Sequence, residues 1–442
     1  MKILPNKQRL IFLTLDPLNP LNMKLIERLE EDFSVCVITD HQLPDSYPCE
    51  NRKYSHKQNL LEVFLLYFYK HIDSKQEKEF VKRNVYRKHT WLINLFFRIK
   101  NHLYLPSYSE ICFFLYKNKE IEGDLIRESD ICLTDATLRH TLSLNPLIVR
   151  ASIITNKLVA YVTSWDNPQY STINTFAQKY LTWNEENRRE IVDWHGIERS
   201  NTSIVGSMVH DYLIDNKLLK ANKFLEKINK KELIVLYAAV FSGSDVTMVI
   251  EEIKFIIKIS KEIKRNIPNF KLIFRTYPSL ADSALYDPLR ELDWINIYEH
   301  SNYITIPRLG NKSEVVSFND RVDEKIEQFY GVDVLLSAGS TYTIEFAFSS
   351  TPIVHINAEV FRQFFENSEF LDRLAIYGHL NHLSPGGFDM NVVDSVDSLI
   401  NSLCELDMLR VSGYNEYLRS FAKPFPDSLS RDLIANSLKE SF

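Results

Sequence analysis

At 442 residues the chain has room for two ordinary domains, each with a core of its own, and its 45% hydrophobic, 25% charged and 12% aromatic composition excludes extended disorder and fibrous architectures. A net charge of −6 gives no global attraction to nucleic acid and leaves nucleic-acid binding disfavoured. The cysteines Cys36, Cys49, Cys112, Cys132 and Cys404 are scattered, odd in number and without a C-x-x-C pair, so neither a disulfide framework nor a cysteine zinc site is implied and a reducing cytoplasm fits best.

The apolar run Leu10 to Leu15 is too short for a signal peptide and meets Asp16 without a small-residue cleavage site. No segment offers the roughly 20 consecutive apolar residues of a transmembrane helix, so the expectation is a cytoplasmic protein that meets a membrane, if at all, from its inner face. Arg9 to Thr14 and Phe33 to Thr39 read as buried strands around a helix from about Asn19 to Glu31. After a turn-like stretch over Tyr47 to Tyr54, helical patterns cover about Lys57 to His71 and Lys75 to Lys100. Strand patterns return at Asp130 to Thr134, Leu158 to Val162, Lys179 to Trp183 and Thr202 to Val205. Strands alternating with helices indicate a mostly parallel sheet covered on both faces.

Between Asp211 and Lys231 the chain turns polar and lysine-rich, and a fresh alternation follows. Strands read at 233–240, 270–275, 294–298, 332–336 and 353–356, with helices at 245–265, near 322–330 and at 341–349. The expected fold is therefore α/β, two tandem Rossmann-like doubly wound domains with a cleft between them. The expected division is a first domain over 1–225, a second over 226–425, and a C-terminal helical segment over 426–442 available to pack back on the first. Glycine is scarce, and Gly206, Gly243, Gly339 and the pair Gly386-Gly387 stand at expected strand ends, where open α/β sheets bind ligands.

Three strand ends carry chemistry. Ser337-Ala338-Gly339-Ser340-Thr341 follows an apolar strand and opens a helix whose free N–H groups and dipole suit a phosphate. Glu345, one turn deeper, is placed to accept hydrogen bonds from a ribose; the competing reading of the turn is a plain helix cap. Ser242-Gly243-Ser244 likewise either caps the following helix or contacts a diphosphate. Arg275 closes its strand just before Thr276-Tyr277-Pro278, with a planar fork suited to two phosphate oxygens, a surface salt bridge being the other reading.

Taken together, Ser242 to Ser244, Arg275 and Ser337 to Glu345 resemble the donor half of GT-B glycosyltransferases, including the bacterial surface-polysaccharide and glycerophosphotransferase-like branches. The resemblance spans most of 232–357 and implies a nucleotide-sugar donor bound by the second domain, with Glu345 on the ribose and Arg275 and the serine turns near the diphosphate. The glycerophosphotransferase-like branch usually shows His-Pro after the Arg, whereas this chain has Tyr277-Pro278.

In the first domain, Ser164-Trp165-Asp166-Asn167 after an apolar strand is similar to a motif of polysaccharide-biosynthesis glycosyltransferases. The strand ending Leu181-Thr182-Trp183-Asn184, the helix from Glu185 to Trp194 and the turn Val205-Gly206-Ser207 follow in the same order. That implies an acceptor domain in which Asp166 serves as general base, with Asp16 as its rival. Asp-Asn-Pro is also strong turn chemistry, and Trp165 either stacks on a sugar or is buried to hold the turn. His355 reads as a core histidine, while His379 and His382 flank Asn381 before the Gly386-Gly387 turn.

No H-E-x-x-H, strand-end D-x-D or Walker sequence is present, so no metal site, no tightly bound cofactor and no obligatory metal are expected. The basic, aromatic stretch 75–100 fits either peripheral contact with an anionic membrane or an ordinary packed amphipathic helix. The function these readings support is transfer of a sugar from a nucleotide sugar to a glycan or lipid-linked glycan of the bacterial surface (capsule, O-antigen or lipooligosaccharide), with inversion. Arg275 then stabilises the leaving diphosphate. A polyol-phosphate transferase, a sugar-nucleotide epimerase and a non-catalytic module stay open.

Overall fold

The apolar runs of the first half become one parallel sheet, because strands buried on both faces must be apolar throughout. The computed structural model describes residues 7–17, 19–40, 42–44, 46–54, 56, 62, 107–121, 124–138, 141–170, 173–215, 232–240, 246–276, 284–298, 304–308, 312–316, 328–329, 331–364 and 378–442. The patterns at Lys57 to His71 and Lys75 to Lys100 and most of the one near 322–330 lie outside them.

Strands β1 (Arg9–Leu13), β2 (Ser34–Thr39), β3 (Glu50–Lys53), β4 (Ile131–Asp135), β5 (Leu158–Tyr161), β6 (Lys179–Thr182) and β7 (Thr202–Ile204) form a seven-stranded sheet ordered β3-β2-β1-β4-β5-β6-β7. All neighbours are parallel, and the order reverses between β1 and β4. Strand β3 corrects the turn-like reading of 47–54. Its polar sequence Glu-Asn-Arg-Lys hides it, and it survives because charged residues are well tolerated on an edge strand.

The second half builds β8 (Leu233–Ala238), β9 (Phe270–Arg275), β10 (Ile295–Tyr298), β11 (Ile304–Arg308), β12 (Lys312–Val316), β13 (Val334–Ser337), β14 (Ile353–Ile356) and β15 (Val392–Val393). Six of these form a parallel sheet ordered β10-β9-β8-β13-β14-β15, reversing between β8 and β13, while β11 and β12 pair as an antiparallel hairpin. The helix Val246–Asn266 packs Met248, Val249, Ile253, Ile256, Ile259 and Ile263 against this sheet at three- and four-residue spacing. Each such side chain contributes about 1.5–3 kcal/mol on burial.

The chain divides into two compact units, residues 1–211 with 421–442, and residues 212–420. The C-terminal helix Ser430–Ser441 belongs to the first unit. There Asp432 accepts a 2.6 Å hydrogen bond from Arg28 Nε, and the helix packs along Pro20–Asp32. The buried Lys423 ammonium reaches Asp211 Oδ1 at 2.6 Å, and Asp211 also accepts from the Ser430 and Arg431 amides at 2.8 and 3.0 Å, satisfying free N–H groups at the start of that helix. Among the described residues no helix is long and apolar enough to cross a membrane.

Candidate functional site

In the second unit the β13 turn falls at the reversal of strand order, the place where parallel sheets leave room for a ligand at their C-terminal ends. Ser337 ends β13 and is buried, its hydroxyl bonded to Thr343 Oγ1 and accepting from the Gly339 amide at 3.1 Å. Gly339 has φ of +102°, a conformation that disfavours any side chain, and it turns the backbone so that Ser340 caps the following helix. The Ser340 carbonyl accepts from the Thr343 amide at 3.0 Å. Ser337 therefore holds the turn from within, while Ser340 and Thr341 remain partly exposed at its rim.

The helix is shorter than the 341–349 its sequence suggests: it spans Thr341–Phe346, then tightens as the amides of Phe348 and Ser349 bond to the carbonyls of Glu345 and Phe346, three residues back. Six residues supply little dipole, so the charge offered to an anion must come from a side chain.

Arg275 provides that charge. It closes β9, one strand beyond β8, and spans the end of β8 to place its guanidinium carbon 4.4 Å from the centre of the Tyr342 ring. Tyr342 is fixed in turn by its hydroxyl, which donates to Gln328 Oε1 at 2.5 Å. Burial holds the Tyr342 phenol well above its ordinary range, with the Arg275 charge opposing and Glu345 reinforcing the shift. Arg275 is only 8% exposed, and its Nε is buried without a hydrogen-bond partner among the described residues. Among the described residues the ring face is what balances this cation, and a buried cation so placed is costly unless an anion completes it. Glu345, also buried, lies on the same short helix.

Ser242, Gly243 and Ser244, together with Tyr277 and Pro278, lie outside the described residues. The approach to them is visible: Glu252, buried on the Val246–Asn266 helix, accepts from the Val240 amide and from Tyr237 Oη, each at 2.8 Å. This carboxylate anchors the chain as it leaves β8.

The first unit positions its own candidates at the C-terminal edge of its sheet. Asp135, ending β4, accepts from the Thr137 amide at 2.7 Å and from Thr163 Oγ1 at 2.9 Å, and Thr163 Oγ1 accepts from Asn167 Nδ2 at 3.1 Å. The loop after β5 is thus tied to β4. Asp166 sits in that loop, partly exposed, and its carbonyl accepts from the Gln169 amide at 3.0 Å to open the short helix Asn167–Tyr170. Trp165 is buried edge-on against Phe421 with ring centres 6.1 Å apart, so it holds the turn and offers no face to a sugar.

Asp16 accepts from Asn19 Nδ2 at 3.0 Å and its carbonyl from Asn22 Nδ2 at 2.7 Å, which makes it part of the entry to the Pro20–Asp32 helix. His355 is buried in β14 opposite Ser337, and burial pushes its imidazole down to about 4. The short helix Gly378–Leu383 contains His379 and His382; the carbonyl of His382 accepts from Tyr417 Oη at 2.9 Å. Among the described residues no group of three or more His, Cys, Asp or Glu comes together as a metal site.

Sequence reasoning missed Tyr342, Thr343 and Asp135. The first two stand inside the motif that was singled out: Thr343 acts locally, on Ser337 and Ser340, whereas the contact of Tyr342 with Arg275 depends on the pairing of β13 with β8 and of β8 with β9.

No protein-family model matches the chain, and no curated protein matches it in sequence. Its fold, by contrast, has solved counterparts. A glycosyltransferase from Rickettsia africae ESF-5 is similar over 98% of both chains at 10% identity and a TM-score of 0.50. A provisionally named UDP-N-acetylglucosamine 2-epimerase from Listeria monocytogenes is similar over 99% of this chain and 97% of its own at 11% identity and a TM-score of 0.51. At such identities the likeness is one of fold: two Rossmann-like units in the GT-B arrangement of elements along the chain.

Proposed function

We propose that the protein is a glycosyltransferase that moves a sugar from a nucleotide-sugar donor to a glycan or lipid-linked glycan of the bacterial surface. The observation that carries this reading is Arg275: a buried guanidinium, stacked on Tyr342, at the strand-order reversal beside the Ser340–Thr341 rim and Glu345. Such a cation suits the diphosphate of the donor, where its fork binds two oxygens. Glu345 accepts from the ribose hydroxyls, Ser340 and Thr341 offer donors at the rim to the phosphates, Gly339 shapes the backbone that carries them, and Ser337 keeps their turn in place through the Gly339 amide. Ser242, Gly243 and Ser244 complete the diphosphate contacts in this reading.

The reaction is a single displacement with inversion. The acceptor hydroxyl oxygen forms a bond to the anomeric carbon as the bond from that carbon to the diphosphate oxygen breaks; the electron pair departs on the diphosphate, stabilised by Arg275. Asp166 takes the hydroxyl proton. No metal step is required, because the basic side chain and backbone donors take up the developing charge. Peripheral contact with an anionic membrane through 75–100 belongs to the same proposal, as does a cytoplasmic location.

The test is transfer by Asp166→Asn and Glu345→Ala with the donor that the wild type binds. Asp166→Asn should abolish transfer with donor affinity nearly intact, and Glu345→Ala should chiefly weaken donor binding. Conversion of the donor with no acceptor present, surviving in Asp166→Asn, would instead establish a sugar-nucleotide epimerase. Preference for a cytidine diphosphate-alcohol would establish polyol-phosphate transfer.

A further inference from the structure

The loop that carries Asp166 is gripped at both ends by one face of the neighbouring helix, Glu185–His195. Asn187 Nδ2 donates to the Trp165 carbonyl at 2.9 Å and to Glu190 Oε2 at 3.2 Å. Glu190 Oε1 accepts from Gln169 Nε2 at 2.5 Å. His195 Nε2 bonds the Pro168 carbonyl at 2.7 Å, and burial holds its imidazole below the ordinary range, so the neutral ring donates from Nε2. Residues 187 and 190 are three apart and share a helix face, so their side chains meet. Trp165, Asn187, Glu190 and Gln169 thus close a ring of hydrogen bonds around the three-residue span Asp166-Asn167-Pro168.

Nothing in this arrangement is surface decoration. Asn187 is fully buried, Gln169 is 2% exposed and Glu190 4% exposed. A carboxylate at such depth is tolerated when several donors converge on it, and here two amides do. An ordinary turn needs no such outlay, because Asp-Asn-Pro already folds by its own local chemistry. A buried ring adds fixity: it removes the freedom of the peptide planes on both sides of Asp166 and fixes where its carboxylate emerges.

We propose that Glu190, with Asn187 and Gln169, is a clamp of positioning residues that fixes the Asp166 carboxylate for proton abstraction. The clamp rests on the reading of Asp166 as general base. Where that reading holds, loosening the ring lowers kcat by up to roughly 10²-fold, the scale of an ångström-sized misplacement, and leaves donor KM unchanged.

The ring supplies its own rescue. Glu190→Gln leaves one side-chain oxygen to accept from two donors, and Gln169→Glu sets two carboxylates against each other. In the double variant Gln169→Glu/Glu190→Gln, Gln at 190 donates to Glu at 169 and still accepts from Asn187, so the ring closes again. The experiment is carbon-13 NMR of the full chain labelled at the aspartate carboxyl carbons, the Asp166 line being identified by its loss in Asp166→Asn.

Each single substitution should displace or split the Asp166 line while leaving most other aspartate lines in place, and the double variant should return it to the wild-type position. An Asp166 line that neither single variant moves overturns the clamp. So does a folded double variant whose line stays displaced, an arm that remains decisive even where a single variant fails to fold. Transfer activity surviving in Asp166→Asn would end the general-base reading separately, without altering the NMR result.

Discussion

The guanidinium of Arg275 lies over the face of Tyr342 at 4.4 Å, on an element that follows a strand two places away in the sheet. Stacking offsets only part of the cost of burying a cation, about 2 kcal/mol or more when desolvated. Arg275→Met should therefore leave the ligand-free protein as stable as the wild type or more so, while removing stabilisation by nucleotide diphosphates. Urea unfolding with and without ligand checks both signs. A free protein destabilised by several kcal/mol would show that the guanidinium is a structural group.

Glu345 makes a narrower prediction. Charge-assisted hydrogen bonds contribute about 1.5–3 kcal/mol each, so Glu345→Ala should weaken nucleotide binding by roughly tenfold to a hundredfold. Calorimetric titration of ribo- and 2′,3′-dideoxyribonucleotides separates the ribose contact from the phosphate contacts. The variant's loss should vanish for the dideoxy nucleotide.

The latch on the C-terminal helix is open to a stability test. Asp211 and Lys423 are 2% and 3% exposed, and removing one partner of a buried pair costs about 3–5 kcal/mol. Lys423→Met should lower the unfolding free energy by that amount, measured in denaturant. Gly206→Ala should also destabilise, since its φ is +76° and a Cβ there would come within 2.8 Å of Ser430 Oγ, the atom that Lys423 bonds.

His355 predicts a pH dependence. Its folded-state value is pushed down to about 4 from 6.5, so the unfolded chain binds the extra proton first. Stability from the neutral ring is present above about pH 6.5, falls as pH drops towards about 4, and changes no further below that, for a total of a few kcal/mol. His355→Leu should flatten that part of the profile, read from urea midpoints at about pH 7, 6 and 5. An unchanged slope would assign the acid loss to other groups.

The fold was largely legible because period and composition agree in the central strands: β8 is apolar throughout, and β13 is apolar up to Ser337, where the turn begins. What escaped was decided by pairing. Glu50–Lys53 carries no strand signal, since a polar edge strand is defined by its neighbour β2. The helix after Ser340 was read three residues too long because nothing in Ala347 to Ser349 announces the tightening of its last turn. In the candidate site, Arg275 stands out in the sequence by its type at a strand end and Glu345 by its place one turn into a helix, whereas the contact between Tyr342 and Arg275 needed the strand order. Trp165 was undecided between two roles, and burial against Phe421 decides for the structural one.

The measurement that bears most directly on the central claim is thermal unfolding of the protein against UDP, GDP, CMP, CDP and their sugar or alcohol conjugates. Ligand at about 100 times its dissociation constant adds about 2.7 kcal/mol to the folded state. The account predicts a clear rise in unfolding temperature with one base carried as a diphosphate sugar, and no rise in Arg275→Met. No shift with any nucleotide, or an equal shift in Arg275→Met, would contradict it.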